Sequence, residues 1–329
     1  MPFLPTRAMI HRDQFLTNVA QAAMQDEANF IAPAAFPLVD SDKLSNQVVT
    51  YDTSDFFRDD ARPRAPLTES QGGGFRMCHV SYDCTEWAWH HDIADEFRSH
   101  ADAPVDLDRD GTNYVTQIMR IRRERLFGLN FMAAGVWSTQ ATGVAAPAGV
   151  NQVVQWDDYV NSTPIADCED LKEAVRSWGG FKPNVAICDQ KVWRWLKHHP
   201  QLIARYVNTQ AVPALTEAQV AEVLGFEKLI VGHAAYTQTR EGNPPDRFKS
   251  ILPRHFLAVY VPPAPSITQP SAGYIFNFTG GNRRGTNIII ERFRLANDAK
   301  GDRITGSFYV DMMVMSANLG GIILNVTSR

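Results

Sequence analysis

The sequence predicts an α+β protein organised around one long helix, and three observations predict it. Apolar residues recur at helical spacing across Asp106–Ala134, strand-like and helix-like stretches alternate from about Val144, and two long β runs, Asn287–Leu295 and Arg303–Met315, lie near the end of the chain. At 329 residues, 44% hydrophobic and 21% charged, the chain is long enough for one large core or two moderate ones. Its net charge of −4 gives no global basic field toward nucleic acid or anionic membrane. No uncharged apolar run approaches membrane-spanning length, and the N-terminus lacks the charged-then-apolar layout of a signal peptide.

Residues 1–45 carry weak periodicity. A short helix is expected over Asp13–Asp26, and Phe30-Ile31-Ala32-Pro33-Ala34-Ala35-Phe36-Pro37 reads as extended chain, because each proline disfavours helix at the residue before it. This is an arm with apolar side chains, Phe30 and Phe36 among them, and little local sequence to bury them, so an outside partner is expected to cover them. Gln47–Tyr51 and Phe75–Cys84 read as strands of a long excursion. Between them Phe56 and Phe57 stand among Arg58, Asp59, Asp60, Arg62 and Arg64, the composition of a contact surface with apolar anchors and a polar rim.

The helix over Asp106–Ala134 begins with Asp106, Asp108 and Asp110, where the helix dipole favours negative charge, and spans roughly 40 Å. Tyr114, Val115, Ile118, Met119, Ile121, Leu126, Leu129 and Met132 share one arc; Phe127 and Phe131 lie off it, so that side is expected to be covered too. Arg122 and Arg125 fall inside the arc and need carboxylate partners or room to snorkel. Glu124 sits four residues from Arg120, spacing that allows an in-helix pair. The cluster Arg120, Arg122, Arg123, Glu124 and Arg125 is therefore read as a source of salt bridges between segments rather than as a phosphate-facing stripe.

Further along, helices are expected over Asp167–Trp178, stopped by Gly179-Gly180, over Gln190–His198 after an Asp189 cap, and over Thr216–Leu224 before Gly225. Strands are expected at Val185–Cys188, Phe226–Val231 and Ile251–Val261, then a proline-rich connector Pro262–Pro270. The two long β runs form an elongated hairpin hinged at Asn297–Asp302, and Gly321–Val326 is a final strand.

A search for chemistry returns little. His90-His91-Asp92 with Asp95-Glu96 is the strongest metal-like run, since on a helix His91 and Asp95 would share a face, but no third histidine stands at suitable spacing. The four cysteines, Cys78, Cys84, Cys168 and Cys188, form no C-x-x-C pair and read as free thiols. Gly280-Gly281-Asn282-Arg283-Arg284-Gly285 does not match a phosphate-binding loop, and neither a nucleophile elbow nor a zinc-protease motif occurs. No catalytic residue, metal or cofactor is expected.

The order of parts (apolar arm, charged excursion, long helix, α/β region, long β hairpin, terminal strand) resembles the major capsid proteins of tailed bacteriophages, which share the Hong Kong phage shell fold with encapsulins. Tyr82-Asp83-Cys84-Thr85-Glu86-Trp87-Ala88 resembles the strand leading out of that family's extended loop. Asp106-Leu107-Asp108 and Arg123-Glu124-Arg125 resemble its spine helix. Asp167–Trp178, Lys182-Pro183-Asn184 through Val192-Trp193-Arg194-Trp195-Leu196, and His199-Pro200 resemble its axial domain, and Ser271-Ala272-Gly273-Tyr274-Ile275-Phe276 resembles the return to its peripheral domain. Each motif alone is degenerate; their collinearity over nearly the whole chain carries the resemblance.

The resemblance implies a phage capsid fold with an N-arm (residues 1–45), an extended β loop (46–80) lying over a neighbouring subunit, a peripheral domain (81–142 and 276–314) holding the spine helix 106–134, and a mixed α/β axial domain (143–275 and 315–329). It implies a shell subunit that assembles as hexamers and pentamers around double-stranded DNA, touched by non-specific contact only, in a virion assembled in the bacterial cytoplasm. Portal and cement or decoration proteins are expected partners, and with the arm starting near Met1 any scaffold is expected to be a separate protein. No lysine lies between Lys43 and Lys172, so the lysine–asparagine cross-link of some members is not expected, and assembly is expected to be non-covalent. An encapsulin-type compartment is the alternative of the same fold; a metal-assisted hydrolase using His90, His91 and Asp92 is the alternative of a different class.

Overall fold

Asp106 opens the long helix. Its carboxylate accepts the backbone N–H groups of Asp108 at 3.1 Å and Arg109 at 3.2 Å, and the helix runs Leu107–Phe131. The computed structural model describes residues 25–51, 53–101, 105–147, 149–206, 214–241, 243–244, 247–264, 270–280, 288–295 and 300–328. The helix expected over Asp13–Asp26 lies outside these residues except for its last two positions.

The helix packs on a face rotated from the expected arc. Val115, Met119, Phe127 and Phe131 are fully buried, whereas Tyr114 and Leu129 are 42% and 59% exposed. The cause is tertiary. The i, i+4 row through Gly111, Val115 and Met119 lies against the strand Gly301–Val314, which comes close because Gly306 has no side chain: a Cβ there would stand 2.5 Å from Val115 Cγ1. Phe127 and Phe131, set off the arc by the sequence pattern, are covered as expected. The cover is the arm, whose Phe36 ring centroid lies 4.3 Å from that of Phe131 and 6.0 Å from that of Phe127.

The arm itself departs from expectation. Ala32–Ala35 forms a single helical turn rather than extended chain, and Pro33 sits in its first turn, where its missing N–H would have no partner in any case. Phe30, Ile31, Ala32, Ala35 and Phe36 are all buried within the subunit. Their partner sequence lies some ninety residues away, on the long helix, which is why no local pattern revealed it.

Among the described residues the helix lies on a sheet of five strands. Gly301–Val314 is its longest member, pairing antiparallel with Thr85–Ala94 on one side and with Ile289–Arg294 and Gly273–Phe278 on the other. The arm adds Leu38–Ser41, parallel to Gly273–Phe278. The two long β runs thus form the expected antiparallel pair, and residues 297–299 of the expected hinge lie outside the described residues.

A second sheet has the strand order Gln152–Val154, Thr139–Val144, Gly320–Leu324, Phe256–Val259, Val185–Asp189, Lys228–Gly232. Its central strands are buried throughout, as continuous apolar runs with layers on both faces should be. Helices Pro164–Gly179, Gln190–Leu196 and Glu217–Leu224 pack on it through Cys168, Leu171, Val192, Leu196, Val220 and Leu224. Gly180 and Gly225 end two of these helices in the left-handed conformation, at φ 77° and 70°. Thr216 and Gln219 form a reciprocal capping box.

Several boundaries moved. The helix expected over Gln190–His198 stops at Leu196, and a further helix, Pro200–Tyr206, which the sequence reading did not include, starts at Pro200. The strand expected at Phe226–Val231 is Lys228–Gly232, and that over Ile251–Val261 contracts to Phe256–Val259. Thr139–Val144 and Gly273–Phe278 run through positions 142 and 275, so the expected divisions there cut through strands.

The excursion is a hairpin. Ser45–Tyr51 pairs antiparallel with Met77–Asp83 in a register that sets Val48 opposite Val80. Its base is tied to the first sheet by Tyr82, stacked on Phe276 at 4.5 Å with the rings 5° from parallel, and by the buried Cys84.

Candidate functional site

Beyond the paired strands of the hairpin, one carboxylate organises the loop. Asp55 accepts the Arg76 backbone N–H at 2.8 Å and its Nε at 3.3 Å, and it also pairs with Arg58. The Arg76 amide is the main reason its carboxyl is held below the usual aspartate range. Phe56 packs with Tyr51 and Phe75 at centroid distances of 5.8 and 5.2 Å, a small aromatic cluster inside the loop. Phe57 points the other way, edge-on to Phe181 at 5.4 Å and over Gly180, whose missing side chain leaves room for the ring.

Both phenylalanines remain 59% exposed, and every residue from Phe56 to His79 is exposed. Arg58 is held by Asp55, while Asp59, Asp60, Arg62 and Arg64 stand on the surface. The loop residues singled out from the sequence thus lie along one exposed stretch, with Phe56 and Arg58 held by the loop's own contacts and Phe57 turned toward Phe181. Phe30 and Phe36 are not among them: both are buried in the subunit's own core, at 6% and 3% exposure, and present no surface to a second molecule.

The helix charges also part from expectation. Arg120 pairs with Glu27 of the arm at 2.9 Å rather than with Glu124. Glu124 is fully buried, and its two oxygens accept the backbone N–H groups of Ile31 at 3.2 Å and Ala32 at 2.9 Å, capping the short arm helix. Burial is the main influence on this carboxyl and raises its pKa to about 7. Arg123, not Arg122 or Arg125, is the buried arginine, set beside Pro33, Leu38 and Asn277. Arg122 and Arg125 are stacked instead of salt-bridged, over Trp87 and Tyr236.

Sequence reasoning missed a network of charges. Asp302 accepts from Arg98 at 3.0 Å, from Arg294 at 3.2 Å and from Arg292; Asp95 takes Arg98 and Arg294; Asp108 takes Arg98 at 2.7 Å. The hydrogen bond from Arg292 leads the influences that lower Asp302 to about 2. These residues join the start of the long helix, the helix Asp95–His100 and the β hairpin, and their separation along the chain left no local signal.

The reactive-looking groups have structural partners. His90, His91 and Asp92 lie on the strand Thr85–Ala94, where neighbours point to opposite faces, so the helical face imagined for His91 and Asp95 does not form. Asp92 accepts two bonds from Arg303, at 2.7 and 2.8 Å, and Asp95 is held by Arg294. Among the described residues no three His, Cys, Asp or Glu side chains converge as a metal would need. Ser162 and His199 look like a nucleophile and base at 3.0 Å, yet both are fully buried. The Gln201 amide donates to His199 Nδ1, so Nε2 carries the proton and donates to Ser162, the reverse of base activation. Burial lowers the His199 pKa to about 4 and keeps the ring neutral. Cys84, Cys168 and Cys188 are buried free thiols with raised pKa values, and Cys78 is exposed on the hairpin.

Comparison with known proteins places this geometry. The family described as phage major capsid protein E matches residues 143–262. The chain is 24% identical over 256 residues to the major capsid protein of Burkholderia phage BcepMu, covering 76% of each chain. Among solved structures, a phage-related protein from Bordetella bronchiseptica is similar at TM-score 0.67 and 21% identity, over 96% of this chain and 98% of that one. The capsid of cyanophage P-SCSP1u is similar at TM-score 0.59 and 12% identity, over 98% of each chain. The two structures share the fold with this chain from end to end, and the family match and the curated relative share its sequence. Together they show a chain similar over most of its length to phage major capsid proteins, which are structural subunits of a capsid shell.

Proposed function

We propose that the chain tiles, as hexamers and pentamers, an icosahedral head shell around packaged double-stranded DNA, and that the tiling is non-covalent. One observation carries this reading: an otherwise well-packed subunit projects a loop whose residues Phe56 to His79 are all exposed, with Phe56 and Phe57 among them. Aromatic side chains on a loop tied down by Asp55 are what a contact surface needs, rigid anchors with a charged rim. In this reading residues 46–80 lie over a neighbouring subunit, the five-stranded sheet with the long helix forms a peripheral domain, and the six-stranded sheet forms an axial domain around the symmetry axes. The exposed loop contains no lysine, so its hold on the neighbour comes from burial and salt bridges. DNA is touched by non-specific contact, consistent with the net charge of −4, and assembly takes place in the host cytoplasm with portal and cement proteins.

Electron microscopy of the purified chain tests this directly. Uniform closed shells or capsomer rings are expected, whereas a compact monomer at high concentration refutes the proposal. Shells boiled in detergent should run as the single 36.8 kDa chain, and a ladder of heavier bands would show covalent linkage. Protein cargo in the shells, in place of nucleic acid, would turn the reading toward an encapsulin-type compartment.

A further inference from the structure

On the flank of the long helix two arginines are stacked rather than paired. The Arg122 guanidinium carbon lies 3.8 Å from the centroid of the Trp87 ring, and that of Arg125 lies 4.8 Å from the centroid of Tyr236. Most other arginines of this region have carboxylate partners: Arg120 has Glu27, Arg303 has Asp92, and Arg98, Arg292 and Arg294 share Asp302. Among the described residues Arg122 and Arg125 form no ion pair, and the Arg122 Nε is buried without an acceptor. Burial, followed by the neighbouring charge of Arg125, weakens the hold of Arg122 on its proton. A partly desolvated cation without a counter-ion is costly, and a carboxylate brought by another molecule would relieve that cost.

The surroundings suit such a visitor. Trp89, on the strand that carries Trp87, and Tyr114, earlier on the same helix, are 43% and 42% exposed, unusual for aromatic rings of this size and typical of an anchor site. Stacking also fixes the guanidinium planes, so little side-chain freedom remains to be lost on binding. Arg122 and Arg125 stand three residues apart on one helix, which sets their side chains roughly 5–6 Å from each other at Cβ.

The same chain carries a match. Asp59 and Asp60 are adjacent, exposed and without a partner among the described residues, on the projecting loop. Asp157, Asp158 and Glu173 are engaged at home, with Ser328, Asn161 and Arg176, and exposed acids that are not, such as Glu86 and Glu291, stand outside the projecting loop. We propose that the ledge formed by Arg122, Arg125, Trp87, Trp89 and Tyr114 is the seat for the Asp59-Asp60 segment of a second copy of this chain. The proposal rests on the shell reading and names the surface that receives its loop.

Charge reversal tests it. Arg122→Glu with Arg125→Glu should cut the yield of shells about tenfold or more at fixed concentration, and Asp59→Arg with Asp60→Arg, on an exposed loop where folding is not at stake, should do the same. Combining all four substitutions should restore shells to within about threefold of wild type, because the pairs are re-formed with opposite sign. Unchanged yield from the loop reversal, or no recovery in the combination, overturns the ledge. A second measurement does not depend on closed shells. Differently tagged chains carrying Asp60→Cys or Arg122→Cys in a Cys78→Ser background are mixed under oxidation, and a disulfide between the two tags is expected; its absence overturns the proposal. If wild-type chain forms no shells at all, the shell reading fails, and the cross-link alone then decides the ledge.

Discussion

Replacing Glu124 tests how the arm is held to the long helix. The carboxylate is fully buried and accepts two backbone N–H groups, those of Ile31 and Ala32. Glu124→Ala leaves both donors buried without a partner, and each such loss costs about 1–3 kcal/mol, so a destabilisation of roughly 2–5 kcal/mol is expected. Glu124→Gln keeps the shape and one acceptor, and it removes the titration. Burial raises the carboxyl from 4.5 to about 7, so between those values the folded chain holds a proton that the unfolded chain has released. The stability from this group is therefore fully present below about pH 4.5 and is lost as pH rises through about 7. A displacement of that size corresponds to roughly 3 kcal/mol. Urea unfolding of the unassembled chain, run from about pH 5 to about pH 8, should show wild type losing most of that amount relative to Glu124→Gln. A wild-type minus Glu124→Gln difference that stays flat across the range refutes the argument, as does a Glu124→Ala variant within about 0.5 kcal/mol of wild type.

Other consequences follow from the same packing. His199 titrates in the opposite sense: its folded pKa is depressed to about 4, so its contribution is present above about pH 6.5 and lost as pH falls toward 4, and in a Glu124→Gln background the acid limb should flatten when His199→Asn is added, as read by unfolding midpoints. Phe131→Ala removes a fully buried ring that stacks on Phe36, and calorimetry should find a loss of about 3–5 kcal/mol with a lower unfolding temperature. Gly306→Ala places a methyl 2.5 Å from Val115 Cγ1 at the helix–sheet contact, and a destabilisation of about 1–3 kcal/mol is expected in the same assay. Phe56→Asp with Phe57→Asp alters exposed anchors alone, so circular dichroism should match wild type while shells disappear from micrographs; normal shells would remove the loop from the interface.

The sequence by itself determined the elements whose causes are local. The Asp106 cap and first-turn acids placed the long helix to within three residues at its C-terminal end, and Gly180 and Gly225 ended two helices because they alone accept a left-handed backbone there without strain. The charged, aromatic loop around Phe56 and Phe57 was legible too, since nothing nearby could bury it. Tertiary structure decided what depends on distant partners. Phe30 and Phe36 looked exposed because their cover, Phe127 and Phe131, lies far along the chain, and Glu124 looked like a partner for Arg120 until the arm offered it two backbone amides. The helix turned a different face to the sheet because Gly306, not the helix's own pattern, set where close approach was possible. Periodicity reports which residues can share a face. Which face is buried depends on the shape and polar groups of whatever arrives to cover it, and that information is spread over the whole chain.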